Sequence, residues 1–220
     1  MRVKFLIFSL LVFIFIPLIQ SYSSSFPIAG IKVGINYSKF GNHEGDLGPE
    51  GSKYPIYEYP VGFNIGGFRE KHLTNKLSLI GELCYERRIL KATYYTSCLG
   101  IPENKLTIDN ISLPVLLKFD LKKKLVPYIL IGINLRYVLK ANYKSYDHIY
   151  ETKVNKNIEK SLSRLRTSIS AGVGKKVKIN NDLYLILEII GSYGLVKNKY
   201  YLLGQWRNCS LKFVTGVQFN

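Results

Sequence analysis

Cysteine is scarce in this sequence, with three residues in a chain of 220: Cys84, Cys98 and Cys209. An odd number at irregular spacing excludes a disulfide framework and matches no metal-binding motif. We therefore expect these thiols to pack as small apolar groups or to stay free at a surface.

Long apolar runs are also nearly absent. The one long run, Phe5–Ile19, follows the basic residues Arg2 and Lys4 and contains Pro17. It is shorter than the roughly 20 residues that a helix needs to cross a bilayer. This pattern is typical of a secretory signal peptide. The sequence therefore predicts a signal peptide over residues 1–21, a single domain over 22–220, and no membrane-spanning helix in that domain.

Acidic residues are few, with 15 Asp and Glu against 31 Lys and Arg, for a formal net charge of +16. In a cytosolic protein this imbalance would suggest nucleic acid as a partner. In an exported protein it favours anionic headgroups at a membrane surface. We expect outer-membrane lipids and lipopolysaccharide as partners, and no nucleic acid.

The main pattern in the sequence is an alternation of apolar and polar residues with a period of two residues, as on the two faces of a β-sheet. Eight segments show this alternation. They are Ile31–Ser38, Val61–Gly66, Leu77–Glu86, Ile111–Asp120, Ile129–Tyr137, Leu165–Gly174, Leu183–Ser192 and Ser210–Phe219. Short and long connections alternate between them, as in a membrane barrel. The fold class predicted is all-β, an eight-stranded antiparallel up-and-down transmembrane β-barrel.

The polar face decides whether the barrel lies in a membrane. It is rich in small residues, among them Gly34, Asn64, Gly132, Ser168 and Gly172, which suit a narrow lumen. A soluble ligand-carrying barrel, with its apolar face inside, is the alternative, but its outer face would carry more long charged side chains. Aromatic residues fall at strand ends, including Phe119, Tyr128 and Phe219, as interfacial girdles do.

Charged side chains on the polar face form the candidate site. They are Glu82, Glu86, Glu188, Lys32, Lys118, Arg136, Arg166 and Lys212. Buried charges persist only when they are paired, so we expect an ion-pair network that fills a lumen without an open pore. An ion or proton path is the alternative. Because the last two strands form a hairpin, Lys212 is the predicted partner of Glu188.

Several motifs follow one another in a familiar order. Gly30–Phe40 reads GIKVGINYSKF, Val61–Phe68 reads VGFNIGGF, and Ile111–Leu121 reads ISLPVLLKFDL, with Pro127 and Tyr128 after it. In this order and spacing the chain resembles the PorT-like outer-membrane β-barrel proteins of Bacteroidetes-type bacteria. The resemblance implies an integral protein of the bacterial outer membrane, and some relatives are similar to secretion or gliding-motility components.

The expected function is therefore a structural, adhesion or secretion-accessory role, without catalysis and without a cofactor. We also expect barrel-assembly machinery to bind the C-terminal strand. The alternative is an outer-membrane hydrolase that acts on lipid or peptide at the outer rim, where His43 and His148 lie near carboxylates. No nucleophile motif accompanies these histidines, which is why catalysis is the second choice.

Overall fold

The structure is a computed structural model, and it describes residues 28–44, 52–58, 60–96, 103–121, 128–147, 152–158, 163–196, 198–200 and 204–219. Eleven β-strands lie in these ranges. They are β1 Ile28–Glu44, β2 Ser52–Glu58, β3 Val61–His72, β4 Leu77–Thr96, β5 Glu103–Asp120, β6 Tyr128–Asp147, β7 Thr152–Asn157, β8 Leu165–Lys178, β9 Leu183–Gly194, β10 Asn198–Tyr200 and β11 Gly204–Phe219. The predicted signal peptide, residues 1–21, lies outside the described residues.

Eight of the strands form one closed antiparallel barrel in the order β1-β3-β4-β5-β6-β8-β9-β11. The barrel closes because β11 pairs with β1, from Ala29 opposite Phe219 to Glu44 opposite Gln205. The predicted eight-stranded antiparallel barrel is therefore confirmed, and each predicted segment lies within one barrel strand.

The alternation along each strand separates the two faces as predicted. On β5, Leu117 and Phe119 are exposed on the outside of the barrel, whereas Ser112 and Lys118 are buried inside it. Pro114 also lies on the inner face, and the β4–β5 register omits it, since proline cannot donate a backbone hydrogen bond. The outer apolar stretch from Ile111 to Phe119 has the length that a tilted strand needs to cross a bilayer.

The strands are longer than the predicted segments, chiefly at the end opposite the short turns. β4 and β6 each have 20 residues and β5 has 18, about twice what a bilayer requires. Beyond the barrel, β2 pairs with β4 and β7 pairs with β6, so that a five-stranded sheet, β2-β4-β5-β6-β7, projects from this end. We call it the outer sheet. It contains a buried cluster of its own: Leu90, Leu106, Ile108, Val138, Ala141, Tyr143 and Ile158.

Glycine allows close approach at one lumen position in particular. A Cβ on Gly174 would overlap the ring of Tyr128, which is almost fully buried beside it. Tyr128 therefore points into the lumen, and its predicted place in an interfacial girdle is wrong. The reason is its position at the first residue of β6, on the same face as Leu130.

Among the described residues, we find no helix with the length and hydrophobicity needed to span a membrane.

The lumen as candidate functional site

Charged residues in the lumen separate into three groups along the barrel axis. Nearest the short turns is the rim cluster of Glu70, Lys118 and Lys176. Lys118 forms an ion pair with Glu70, and Lys176 Nζ lies 2.7 Å from Glu70 Oε2. Lys118 Nζ is also 3.7 Å from Asp120 Oδ1. Lys118 was a predicted site residue, whereas Glu70 was not.

The central cluster consists of Lys32, Glu82, Glu188 and Tyr128. Lys32 Nζ lies 2.5 Å from Glu82 Oε1 and 2.9 Å from Glu188 Oε2. The Tyr128 hydroxyl donates a hydrogen bond of 3.0 Å to Glu188 Oε1. All four side chains are buried, so one ammonium group compensates two carboxylates with help from a neutral donor.

The outer cluster consists of Glu86, Arg88, Arg136, Arg166 and Lys212. Arg88 Nη2 and Lys212 Nζ lie 2.8 Å and 3.1 Å from Glu86 Oε1. Arg136 Nε lies 3.2 Å from Glu86 Oε2. Arg166 instead donates from Nε to the carbonyl oxygen of Ser163, at 3.2 Å. Among the described residues, the outer cluster therefore holds one carboxylate and four cationic side chains, three of which form ion pairs with Glu86.

The predicted pair of Glu188 and Lys212 is wrong. Lys212 lies opposite Ile190 on β9, whereas Glu188 lies opposite Val214. Lys212 consequently reaches Glu86, and Glu188 reaches Lys32. The stagger between neighbouring strands moves the two residues into different clusters, although both point inward as expected.

Three charged residues and an apolar layer escaped the sequence-based prediction. Arg88 and Lys176 lie one inward step past the predicted ends of β4 and β8, and Glu70 lies two steps past the predicted end of β3, so a longer repeat would have found all three. The apolar layer was missed because the lumen was expected to be polar. It consists of Phe68, Ile80, Leu116, Tyr128, Leu130, Ile186, Ile190 and Val214.

Little open space remains around the central cluster. A cavity lined by Lys32, Glu82, Cys84, Lys212 and neighbouring residues has a volume of about 20 Å³. This is about the space that one water molecule needs. Ion pairs and apolar side chains thus fill the barrel at the level of the central cluster.

Groups suited to catalysis or metal binding are sparse. Ser78 Oγ lies 2.8 Å from His72 Nδ1, but Ser78 is fully buried and so does not present a nucleophile to a substrate. The described residues contain no group of three His, Cys, Asp or Glu that could hold a metal ion. The side chains of His43 and His148 lie outside the described residues. Cys84 is free and buried and Cys209 is free and half-buried, whereas Cys98 is not among the described residues.

A closed antiparallel barrel with an apolar exterior and a charged, filled interior defines a class of protein, the integral outer-membrane β-barrels. The chain belongs to the family of outer membrane protein beta-barrel domains, whose model matches residues 25–200. Its location is the bacterial outer membrane. The narrower resemblance to PorT-like proteins stays a prediction.

Solved structures with a similar fold have little sequence in common with this chain. Ail of Yersinia pestis, the attachment invasion locus protein, is 16% identical, with 89% of this chain and 100% of that chain covered and a TM-score of 0.43. OprG from Pseudomonas aeruginosa is 11% identical, with 88% and 95% covered and a TM-score of 0.45. Neisserial surface protein A is 13% identical, with 89% and 97% covered and a TM-score of 0.45. No curated protein sequence matches the chain.

Proposed function

We propose that the protein is a non-enzymatic anchor in the outer membrane and that its outer sheet adheres to acidic polysaccharide. The observation that carries the proposal is a row of three lysines, Lys91, Lys105 and Lys144, side by side on one face of the outer sheet. The filled lumen supports an anchoring role, since it leaves no continuous aqueous path through the described middle of the barrel.

The side chains that precede the row on β4 and β5 show how far the lysines lie from the apolar outer face of the barrel. The apolar outer face of β5 begins at Ile111, and the ion pair between Arg87 and Asp109 lies just beyond it, with Arg87 Nε 2.7 Å from Asp109 Oδ1. Lys105 is four residues further along β5, or about 13 Å at the usual rise of a strand. Lys105 therefore lies beyond the lipid-facing band of β5, and we expect the saccharides of lipopolysaccharide to be the nearest acidic polysaccharide on that side.

The charges in the row favour an anionic partner. Lys91 lies opposite Lys105, and Lys105 lies opposite Lys144. Glu58 on β2 lies opposite Lys91 at one end of the row, whereas Lys105 and Lys144 face each other directly. Like charges directly opposite each other destabilise a sheet, and a polyanion beside this pair would relieve that repulsion. Lys153 on β7 extends the same face, with its Nζ 5.4 Å from the centre of the Tyr146 ring. A row of this kind suits a repeating polymer better than a single small anion.

The test measures binding of fluorescent dextran sulfate to cells that display the protein. We compare the parent with a double variant, Lys105→Gln with Lys144→Gln, after normalising to folded protein by heat-modifiable gel mobility. At about 1 kcal/mol per lysine, binding should weaken roughly 30-fold and should fall as salt rises.

The matched control removes the same charge at the other end of the barrel. Lys175→Gln with Lys178→Gln changes two lysines of β8 at the short-turn, periplasmic end, which the probe does not reach on intact cells. Neutral dextran controls for binding to the cell surface itself. Equal binding by the parent and the Lys105 and Lys144 double variant would contradict adhesion through the outer sheet.

A further inference from the structure

Three residues of the lumen form a row across adjacent strands at the level of the outer cluster. Ser112 on β5 lies opposite Arg136 on β6, and Arg136 lies opposite Arg166 on β8. All three are buried and point inward. Two guanidinium groups directly opposite each other repel, so their register is unfavourable unless a negative charge lies between or beside them.

The described residues supply too little negative charge at this level. Glu86 is already shared by Arg88, Arg136 and Lys212. Arg88 is close enough to Arg136 and Arg166 for their charges to repel. Within the part of the chain that the structure describes, Arg166 has no carboxylate partner. Uncompensated charge in a dry interior is strongly destabilising.

Buried hydrogen-bond donors without partners lie at the same level of the lumen as the excess positive charge. Arg88 Nη1, Arg136 Nη2, Arg166 Nη2 and Ser112 Oγ are buried atoms without a hydrogen-bond partner among the described residues. Each of these three arginines is at most 5% exposed. Four donors from four strands thus remain unsatisfied around one level of the lumen.

We propose that this part of the lumen is a binding site for one small oxyanion of the phosphate or sulfate type, held by Arg88, Arg136, Arg166 and Ser112. Each of the three arginines has one unpartnered Nη group that can donate to an oxygen of a tetrahedral oxyanion, and the Ser112 hydroxyl can donate to another. The anion would also supply the negative charge that Glu86 alone does not.

Water is the alternative occupant of this site, and it differs from an oxyanion because it carries no charge. A buried water molecule can accept from the orphaned donors, but it leaves the excess positive charge uncompensated. A bound oxyanion satisfies both the donors and the charge. Stability should therefore depend on the identity and concentration of the anion in the refolding buffer.

The experiment refolds the barrel in detergent micelles, with gluconate as the background anion, and titrates phosphate or chloride at constant ionic strength. Phosphate should raise the midpoint of thermal unfolding along a saturating curve, by about 5 °C at high occupancy. Chloride should produce a much smaller shift. Radiolabelled phosphate, measured after gel filtration, should remain at about one equivalent per barrel.

Variants separate a binding site from a purely structural cluster. Arg166→Gln removes the guanidinium that has no carboxylate partner, so without phosphate it should unfold at the same temperature as the parent or higher, and with phosphate it should show no shift. Ser112→Ala keeps every charge and should bind phosphate several-fold more weakly. Arg164→Gln, two residues away and exposed, is the matched control and should respond like the parent.

Three results would overturn the proposal. They are no shift with phosphate, a shift that does not saturate, and an equal shift with chloride or in the Arg166→Gln variant. The first would show that phosphate does not bind to the folded barrel, and the second would reflect the general exclusion of phosphate from protein surfaces.

Discussion

The central cluster gives the sharpest test of how the lumen is held together. Within the described ranges, Lys32 on β1 is the one ammonium group in contact with both Glu82 and Glu188. Replacing it by Met removes the positive charge and leaves two buried carboxylates facing each other. Tyr128 still donates to Glu188, and the Cys84 thiol still donates a weak hydrogen bond of 3.9 Å to Glu82 Oε2, but no positive charge remains beside either carboxylate among the described residues.

The expected cost follows from the burial of all three partners. Breaking a buried ion pair by removing one member costs about 3 to 5 kcal/mol, and Lys32→Met should fall at the upper end because it orphans two charges. The triple variant Lys32→Met, Glu82→Gln, Glu188→Gln should regain most of that loss. Urea unfolding in lipid vesicles, followed by heat-modifiable gel mobility, measures these free energies of unfolding. Lys153→Met on the exposed β7 is the control and should cost less than about 0.5 kcal/mol.

Two double-mutant cycles measure which charged residues of the lumen interact directly. Because Lys32 and Glu188 are in contact, their cycle should give a coupling free energy of about 2 to 3 kcal/mol. Glu188 and Lys212 lie in different clusters, so their cycle should be additive to within about 0.5 kcal/mol. A strong coupling between Glu188 and Lys212, with none between Lys32 and Glu188, would refute the assignment of the clusters.

Two further substitutions test the outer and inner faces of the barrel. Ile131→Arg places a charge on the lipid-facing side of β6 and should cost about 2 to 4 kcal/mol, measured by urea unfolding in vesicles; unchanged folding would contradict a bilayer around that strand. Gly174→Ala should cost about 1 to 3 kcal/mol in the same assay because its methyl group meets the Tyr128 ring, whereas Gly67→Ala, with 3.7 Å to the nearest atom, should be tolerated. Equal effects of the two alanine variants would show that the Tyr128 ring does not restrict Gly174.

Within the eight predicted segments, the direction of the side chains could be predicted from the sequence because successive residues of a strand point to opposite faces. Once Leu117 faces lipid, Lys118 faces the lumen, whatever the rest of the barrel does. The same rule placed Glu82, Glu188 and Lys212 inside. Closure followed from the even number of strands and their alternating connections.

The partners inside the lumen could not be predicted, because they depend on the stagger of strands around the barrel. Relative to the predicted pairing, the register between β9 and β11 is shifted by two residues. Lys212 therefore still points inward but lies opposite Ile190 and not Glu188. Lys32 is far from both Glu82 and Glu188 in the sequence, and pairing them requires the closed barrel. The length of the strands in the outer sheet was also missed. After Glu86 the alternation of apolar and polar residues in β4 becomes less clear, because Arg87 and Arg88 place a charged side chain on each face.

The seam between β1 and β11 has a consequence for how the barrel is made. The first and last strands of the chain complete each other's backbone hydrogen bonds, over pairs that run from Ala29 with Phe219 to Glu44 with Gln205. In a bilayer, an unpaired strand edge costs several kcal/mol for each unsatisfied group. A nascent chain that lacks β11 therefore has no stable membrane-embedded state. Insertion must wait until the last strand has been synthesised and exported, so the outer sheet reaches its final position in the same step as the closure of the barrel.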